Sequence, residues 1–399
     1  MSANRGSARG LFAAACAGIL SFGIVFAVLG TVFGLSGTRE RLHIDLAQQG
    51  TLFLLLYLGI FLASLVCGPA IDRLGYQLIL LVSSLLVCGA MILFAVARSM
   101  ILAGTASLFL GFGGGGLNTC TNALVSELFG SQRGRMLNLL GIFFGVGALF
   151  VPLLGAGIEG RLRPEQLFAF CAILPGICCV LYAALPFPDR QQLQNSFTWR
   201  DAAQVARYEG IWLLGILLFF ESGNEACIGG WTSTYANSLG MSSRTATLIL
   251  SGYWAALMLS RIAAAWLLRV LSKEILVLAA GVTAIFGSGI LLSTASIVWI
   301  AAGVVMIGVS YGPIFPTTLG IAGDRYSRLT GTVFGLLFSI ALLGGMSFPW
   351  LVGQISESST VRIGMLVPLL GAAGICSVST ALLRSPRRYI FSNSGDAGS

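Results

Sequence analysis

Residues 47–75 read AQQGTLFLLLYLGIFLASLVCGPAIDRLG. The stretch 47–70 carries no charged side chain, and a helix needs about 20 apolar residues to cross the hydrocarbon core of a bilayer. A short charged turn at Asp72 and Arg73 follows, and a second apolar stretch begins near residue 78. This alternation of long apolar runs with short charged turns predicts a helical membrane protein.

The same alternation extends over the whole chain. Only 10% of the 399 residues are charged and 56% are apolar, whereas a soluble domain carries about a quarter charged residues. This excludes a cytosolic globular enzyme, and the continuous apolar runs exclude an outer-membrane barrel, whose strands alternate polar and apolar residues. We therefore predict an all-α membrane protein, surrounded by the lipid bilayer, with twelve transmembrane helices near 11–34, 47–70, 78–97, 101–126, 136–158, 166–186, 210–236, 245–268, 275–295, 297–322, 332–355 and 363–383.

The basic residues predict the orientation. If the N-terminus is cytoplasmic, 15 of the 23 Lys and Arg residues lie in cytoplasmic segments, seven lie in loops on the other side, and Arg261 lies alone within a span. Short cytoplasmic loops carry the excess of basic residues in membrane proteins. Both termini are therefore predicted to be cytoplasmic, in an inner or plasma membrane. The net charge of +8 follows from this topology, and no nucleic-acid partner is expected.

The chain also carries the marks of a duplication. Its most polar interruption predicts an N-terminal half at 1–188, a cytoplasmic linker at 189–209 and a C-terminal half at 210–399. At offsets of 196 or 197 residues, polar, glycine and proline positions of the two halves coincide: Tyr57 with Tyr253, Arg73 with Arg269, Gly111 with Gly308, Glu127 with Asp324, Gly147 with Gly344, and Pro152 with Pro349. Two six-helix halves related in this way are known from secondary transporters, with the solute site between them.

The turn after the second span resembles the loop motif of the major facilitator superfamily. It reads Gly68-Pro-Ala-Ile-Asp72-Arg73-Leu-Gly75. Gly68 is expected to permit close helix packing, Asp72 to cap a helix or pair across the half interface, and Arg73 to add cytoplasmic charge. The family motif continues with further basic residues, whereas Tyr76 and Gln77 follow here. The resemblance covers all twelve spans and implies the major facilitator fold, two pseudo-symmetric six-helix halves.

Residues of the second half indicate which branch of the superfamily the chain resembles. The run Glu221-Ser-Gly223-Asn-Glu225, followed by Gly229-Gly230-Trp231 and Tyr235, is similar to the seventh helix of the fucose–proton symporter family and of its sodium-dependent glucose transporter branch. Arg261 with Trp266, and Tyr311-Gly-Pro313-Ile-Phe-Pro316-Thr-Thr, are similar as well. Fucose-type members carry carboxylates in the first and fourth helices. Here the first span has no acid, and Asn118 stands where the fourth-helix acid is expected.

Two acids lie near the middle of the seventh span. Glu221 and Glu225 are four residues apart and share a helix face, and a charge at mid-membrane costs about 2.5–3.5 kcal/mol on the insertion scale. Carboxylates this close in a low dielectric resist both being ionised, which suits a proton carrier. Together with Asn224 they could equally ligate sodium. Alternatively, Glu221 is structural, hydrogen-bonded or paired with Arg261, which is itself interpreted as a structural residue.

Glycine and proline stand where they could interrupt helices. Gly223, Gly229 and Gly230 would permit local unwinding of the seventh span, as in discontinuous transporter helices. Pro313 and Pro316 would break and bend the tenth. The four glycines 113–116 lack the Lys-Ser/Thr pair of a phosphate-binding loop and instead predict a close helix-packing face.

Amide and aromatic side chains are the candidate solute ligands. Asn118, Thr121 and Asn122 share one face of the fourth span, and Asn138 lies on the fifth. Amides both donate and accept hydrogen bonds, which suits a neutral polyhydroxylated ligand; bonding between helices is the alternative. The rings that could stack on a sugar face are Tyr57, Trp231, Tyr235, Tyr253, Trp254 and Tyr311. The repeat-related Tyr57 and Tyr253 are the preferred pair, and interfacial anchoring competes for Trp231 and Tyr235.

These features predict a secondary active transporter that moves a small polar solute, with a sugar favoured, by alternating access coupled to a proton or sodium gradient. No pair of central arginines is available to clamp an anion. A drug or amphipathic-solute efflux antiporter is the alternative, because the stretch from Gly145 through Gly147 and Pro152 to Gly155 loosely resembles the fifth-helix motif of drug antiporters. A transporter-derived, non-transporting sensor is the alternative from a different class.

An enzyme is not expected, because the spans contain no His, no HExxH and no Gly-x-Ser-x-Gly. All nine cysteines lie in apolar runs without a CxxC pair, and the lone His43 has no companion ligands. We therefore expect no metal site and no cofactor beyond the transported ion. A monomer is the expected functional unit.

Overall fold

The computed structural model describes residues 5–129, 132–187, 208–326 and 330–384. Regular structure in these ranges is helical throughout. The helices are α1 (Arg5–Val32), α2 (Thr38–Leu42), α3 (Leu46–Leu74), α4 (Tyr76–Val96), α5 (Met100–Leu128), α6 (Arg133–Ile158), α7 (Pro164–Ala184), α8 (Glu209–Ser238), α9 (Ser243–Leu267), α10 (Lys273–Ser293), α11 (Ile297–Arg325), α12 (Thr330–Ser358), α13 (Val361–Gly364) and α14 (Leu366–Arg384).

Twelve segments of the described chain are long and apolar enough to cross a membrane. The short α13 belongs to the same span as α14, and α2 lies in the loop after the first span. The all-α prediction with twelve spans is confirmed, with boundaries that differ by several residues. The one-turn α2 was not predicted, because it is set by left-handed residues at its ends, Gly37 (φ 79°) and His43 (φ 52°), rather than by apolar periodicity. Most of the predicted linker, residues 189–207, lies outside the described residues, and the division into halves at 188 and 210 stays a prediction.

The sequence repeat has a physical counterpart in helix packing. Gly111 of α5 packs on the carbonyl oxygen of Leu56 in α3, and its repeat partner Gly308 of α11 packs on that of Tyr253 in α9. Leu56 and Tyr253 are themselves 197 residues apart. A Cβ atom at either glycine would overlap the carbonyl oxygen. The glycine matches between the halves therefore mark equivalent close helix crossings.

A hydrogen bond between helix ends also occurs at equivalent positions of the two halves. The Tyr76 hydroxyl donates to Glu127 Oε2 at 2.7 Å, and 197 residues later Lys273 Nζ donates to Asp324 Oδ2 at 2.6 Å. Both halves have a hydrogen bond at this place, but the donor is a hydroxyl group in the N-terminal half and an ammonium group in the C-terminal half. Tyr76 follows the loop motif where the family has basic residues, so a neutral hydrogen bond takes their place here.

We call the side of the bundle on which α1 begins the terminal side and the opposite side the distal side. The hydrogen bonds that join the two halves, within the described ranges, all lie at the distal ends of α1, α3, α8, α9 and α12. They are Ser36 with Ser243 (3.0 Å), the Leu46 amide to Glu357 (2.9 Å), Gln49 to Thr234 (3.0 Å), Asn237 to the Gly34 carbonyl (2.8 Å), and Gln354 to the Ala47 carbonyl (3.4 Å). This distal seal closes the molecule on one side.

Glycines allow the helix backbones to meet beneath the distal seal. Gly30 of α1 lies against the Gly229 carbonyl of α8, and Gly50 of α3 lies against Gly353 of α12. A side chain at these positions would separate the halves, since the neighbouring atoms are backbone.

The prediction that glycines unwind the seventh span is wrong. Helix α8 is continuous from Glu209 to Ser238. Each of the three glycines instead makes room for an aromatic ring of a neighbouring helix: Gly223 for Phe348 of α12, Gly229 for Trp254 of α9, and Gly230 for Phe53 of α3. A Cβ would come within 2.6 to 2.9 Å of these rings. The glycines therefore serve close packing rather than a break.

Of the other glycine predictions, the structure confirms one and contradicts another. The run 113–116 is confirmed as a packing face, because its members lie against α1, α3 and α4. The packing role of Gly68 is wrong, since a Cβ there would meet no atom within 4 Å. Asp72 and Arg73 are exposed, and no cross-half partner of Asp72 lies in the described part of the chain. The motif does make a turn that requires glycine: Gly75 adopts φ 81° between α3 and α4.

We expect alanine at Gly111 or Gly308 to lower the free energy of unfolding by about 1–3 kcal/mol, the usual cost of overpacking. Gly89→Ala is the matched control, because a Cβ at this helical glycine meets open space and removes backbone entropy from the unfolded chain. Thermal unfolding of the purified protein in detergent measures all three. Equal melting temperatures for the three variants would contradict the close crossings.

Candidate functional site

Both intramembrane acids lie buried midway along α8. Glu221 is 0% exposed and Glu225 is 7% exposed, and their carboxyl groups interact directly. Glu225 Oε2 accepts a hydrogen bond from Arg261 Nη2 at 3.4 Å. The alternative that Glu221 pairs with Arg261 is therefore wrong. Glu221 Oε2 accepts only a 3.3 Å bond from Ser222, and its Oε1 has no hydrogen-bond partner among the described residues.

Arg261 of α9 connects four elements. Besides Glu225, its Nε donates to the Gly312 carbonyl of α11 at 3.2 Å, and its guanidinium lies 5.7 Å from the ring centroid of Phe144 on α6. Pro316 lacks the amide hydrogen that the Gly312 carbonyl would otherwise accept, so Arg261 replaces a missing helix bond. The predicted break of the tenth span is accordingly wrong: α11 runs through Pro313 and Pro316 without interruption.

Four further polar side chains are buried near the middle of α8, α9 and α11. The Asn224 amide, the Tyr253 and Tyr311 hydroxyls and the Trp254 indole NH are fully buried and lack partners among the described residues. The Asn224 amide lies against Gly371 of α14, and the Tyr311 hydroxyl approaches it. An unpaired buried polar group costs about 1–3 kcal/mol. Such groups gathered at one place make this region a candidate binding site.

We call this set the central cluster: Glu221, Asn224, Glu225, Tyr253, Trp254, Arg261 and Tyr311. Tyr57 of α3 adds a residue from the N-terminal half, since it interacts with both acids and packs on Gly345 of α12. Tyr253 interacts with the same two acids. The repeat-related tyrosines thus both interact electrostatically with the acid pair, one from each half.

An aromatic layer covers the central cluster. The Phe26 ring contacts Tyr57 at 5.4 Å, Phe144 at 5.5 Å and Trp254 at 6.1 Å between centroids. Closer to the distal ends of their helices, Phe53 and Trp231 contact each other at 6.1 Å. Phe26, Phe53 and Trp231 lie nearer the distal ends of their helices than the acid pair does, whereas Phe144 lies beside Arg261. Arg261, whose side chain is 26% exposed, is the member of the cluster that faces the open side.

The predicted amides of the N-terminal half lie apart from the central cluster. Asn122 donates to the side-chain oxygen of Asn118 at 2.9 Å and to its carbonyl at 2.8 Å. Thr121 is buried and donates to the Leu117 carbonyl, while Asn138 is exposed. No contact with the central cluster joins these four within the described ranges, and the α5 amide pair is bonded inside its own helix.

Trp231 and Tyr235 belong to the buried packing between α8 and its neighbouring helices. Both are fully buried, so the interfacial alternative is wrong. The Trp231 indole donates to the Pro349 carbonyl at 3.1 Å, and the Tyr235 hydroxyl donates to the Leu291 carbonyl at 2.9 Å. Their polar tips are thereby occupied by the backbones of α12 and α10.

Sequence reasoning missed Phe26, Phe144 and the polar residues of the distal seal. The chain has 25 phenylalanines, spread over most apolar runs, so nothing distinguishes these two in the sequence. Gln49 and Asn237 stand at the ends of spans, where polar residues are ordinary.

Twelve spans in two repeated halves around a buried polar cluster define a membrane transport protein. The chain matches the family model of the Major Facilitator Superfamily over residues 11–349, and it belongs to this family of small-solute transporters. It is 24% identical to the cis,cis-muconate transport protein of Acinetobacter baylyi over 90% of both chains. Its fold is similar to that of nucleoside transporter NupG (TM-score 0.77, 13% identity, 94% of this chain and 99% of that one). It is also similar to the fucose:proton symporter FucP of E. coli (TM-score 0.66, 17% identity, 95% and 100%).

We expect Arg261→Gln to destabilise the protein by about 1–3 kcal/mol. Breaking a fully buried ion pair costs about 3–5 kcal/mol, and the partial exposure of Arg261 reduces this. The substitution also leaves the Gly312 carbonyl without a donor. Arg244→Gln, at the exposed start of the same helix, is the control and should change stability by less than about 0.5 kcal/mol. Equal thermal unfolding of the two variants would contradict the importance of this contact.

Proposed function

We propose that this protein is a symporter that moves a small neutral polar solute, with a sugar as the favoured class, by alternating access coupled to a proton or sodium gradient. The observation that carries the proposal is the central cluster. Amide, hydroxyl and indole groups with unused hydrogen-bonding capacity lie buried beside an acid pair, at the meeting of the two halves.

The charge of the cluster favours a neutral solute. Arg261 is balanced by Glu225, and the described part of the cluster offers no second cation to hold a carboxylate or phosphate. Muconate, the solute in the name of one relative, is a dicarboxylate and fits this arrangement poorly. Fucose and nucleosides, named for the two similar folds, carry hydroxyl groups that match the cluster.

The proposed ligands fall into two groups. The first group is proposed to surround the acids and consists of Asn224, Tyr253 and Tyr311 of the C-terminal half and Tyr57 of the N-terminal half. Trp231 and Tyr235 are proposed to line the side of the solute site. Asn118, Thr121, Asn122 and Asn138 are proposed to meet the solute on the N-terminal side of the path. Glu221 and Glu225 are proposed to engage the coupling ion.

The distal seal supports alternating access. The hydrogen bonds across the halves lie on one side, so the described chain is closed distally and Arg261 faces the other side. With the predicted orientation, this conformation faces the cytoplasm. Transport then requires the distal seal to open.

The stretch of α6 that suggested drug efflux has a packing explanation. Gly147 lies on the Leu20 carbonyl, Gly145 lies against Met258, and Gly155 lies against Thr31. Since close helix contacts account for these glycines, nothing in the site favours the efflux alternative. Solute binding without transport would instead indicate the sensor.

The test is uptake of labelled hexoses, fucose, nucleosides and muconate into proteoliposomes under imposed proton or sodium gradients. We expect a sugar to accumulate with one of the two gradients. Tyr311→Phe removes a hydroxyl that has no hydrogen-bond partner among the described residues, so it should raise KM about 10-fold, the loss of one solute hydrogen bond, with little change in stability. Tyr208→Phe, at the terminal end of α8, is the control. Transport of muconate or of amphipathic dyes in place of any sugar would contradict the proposal.

A cross-link across the distal seal tests alternating access separately. The Oγ atoms of Ser36 and Ser243 are 3.0 Å apart, so the double variant Ser36→Cys with Ser243→Cys should form a disulfide on oxidation. We expect uptake to fall more than about 10-fold and to recover with reductant, because the distal side can no longer open. Mass spectrometry of the linked peptides confirms the bridge. Each single variant and the wild-type chain, with its nine buried or half-buried cysteines, should be insensitive; full transport by the bridged protein would show that the halves need not separate there.

A further inference from the structure

We propose that the two buried acids have different tasks: Glu225 is the fixed counter-ion of Arg261, and Glu221 carries the transported proton as a neutral carboxylic acid. This inference rests on the proposed function and assigns both the ion and the residue that binds it.

The position of Glu225 makes it a counter-ion. Its Oε2 lies 3.4 Å from Arg261 Nη2, with side-chain exposures of 9% and 26%. A guanidinium stays protonated in proteins, and a charge buried without a partner is strongly unfavourable. Arg261 is further held by the Gly312 carbonyl and the Phe144 ring. Glu225 therefore stays ionised wherever Arg261 remains in this position.

Among the described residues, the surroundings of Glu221 contain no second cation. The titratable groups that interact with it are Tyr57 of α3, Tyr253 and Arg261 of α9, Tyr311 of α11, and Glu225 of its own helix. Cys227 of the same helix interacts with Tyr57 and Tyr311. The single positive charge among these groups already lies on Glu225. An ionised Glu221 would leave the cluster with one uncompensated negative charge in a medium where this is costly. One added proton makes the cluster electroneutral.

The contact between the two carboxyl groups gives that proton a place. As an acid, Glu221 donates its hydroxyl hydrogen to the Glu225 carboxylate, and the charge-assisted bond that results is a strong one. Arg261 balances the carboxylate from its other side. The relay is Glu221–Glu225–Arg261, and it takes up one proton from water on one side of the membrane and releases one on the other, with no bond of the solute changed.

A sodium ion fits this place less well. Metal cations that prefer oxygen take several oxygen ligands at once. Helix α8 is unbroken beside the acids, so its carbonyls are engaged in helix bonds. The ion would also lie close to Arg261. A proton needs only the carboxylate that is present, and symport of one proton with a neutral solute moves one positive charge in each cycle.

Transport assays separate the two tasks. Glu221→Gln mimics the protonated acid, so we expect accumulation driven by a proton gradient to fall more than about 10-fold, and to fall further than solute exchange without a gradient. Glu225→Gln should lose exchange as well, because Arg261 is left unpaired. Removing both charges, with Glu225→Gln and Arg261→Gln, should restore exchange relative to Glu225→Gln alone. Glu209→Gln, at the exposed start of the same helix, is the matched control and should change nothing.

A spectroscopic measurement tests the assignment without any solute. Infrared spectra of the purified protein at neutral pH should show the carbonyl stretch of a protonated carboxylic acid in wild type, in Glu209→Gln and in the double variant, and not in Glu221→Gln. Should Glu221→Gln fail to fold, Glu221→Asp must keep the band and slow coupled uptake.

The outcomes distinguish the two proposals. A band that persists in Glu221→Gln, or accumulation that follows a sodium gradient at fixed pH, overturns the proton assignment even if a sugar is transported. A band that disappears in Glu221→Gln supports the assignment even if no sugar on the panel is transported, in which case the proposed solute class is wrong. Proton-driven accumulation by Glu221→Gln, with exchange intact, also overturns it.

Discussion

The arrangement of the C-terminal half depends on one positive charge inside the membrane. Polar groups in hydrocarbon must be satisfied within the protein, and Arg261 is satisfied three times: by the Glu225 carboxylate, by the Gly312 carbonyl and by the Phe144 ring. These contacts fix α9 against α8, α11 and the opposite half. They also explain why Pro316 is tolerated in α11, since the donor that Pro316 lacks is supplied from a neighbouring helix.

A second constraint is the distance between helix backbones. Lipid provides little hydrophobic drive for helix association, so small residues that allow close packing carry much of it. The pairs Gly111 with Gly308 and Gly147 with Gly344 each lie on a backbone carbonyl of a neighbouring helix. A glycine at such a crossing cannot be replaced without moving a helix. The hydrogen bond to the acid at the helix end, in contrast, forms with Tyr76 as the donor in one half and with Lys273 in the other. The sequence similarity between the two halves is therefore clear at the helix crossings and weaker elsewhere.

The sequence predicted the spans, the two-half fold and the position of Glu221 and Glu225 within a span well, because each of these follows from residue type and spacing. It predicted poorly what glycine and proline do. Gly229 is compatible with an unwound turn or with an aromatic neighbour, and only the position of Trp254 decides between them. In the same way, the pairing of Arg261 with Glu225 rather than Glu221 depends on the rotation of α9 against α8. Such choices are set by tertiary packing, which the order of residues along one helix does not encode.

The two halves contribute unequally to the site. In the C-terminal half, Asn224, Tyr253 and Tyr311 keep buried hydrogen-bonding capacity unused, whereas Asn122 of the N-terminal half is bonded within its own helix. The N-terminal half instead supplies rings, Phe26 and Phe144, that press on Trp254. Unused hydrogen-bonding capacity is thus concentrated in the C-terminal half, and the N-terminal half contributes aromatic rings that contact Trp254. Because Tyr57 belongs to the N-terminal half and interacts electrostatically with both acids, a movement that separates the halves at the distal seal also changes the surroundings of Glu221.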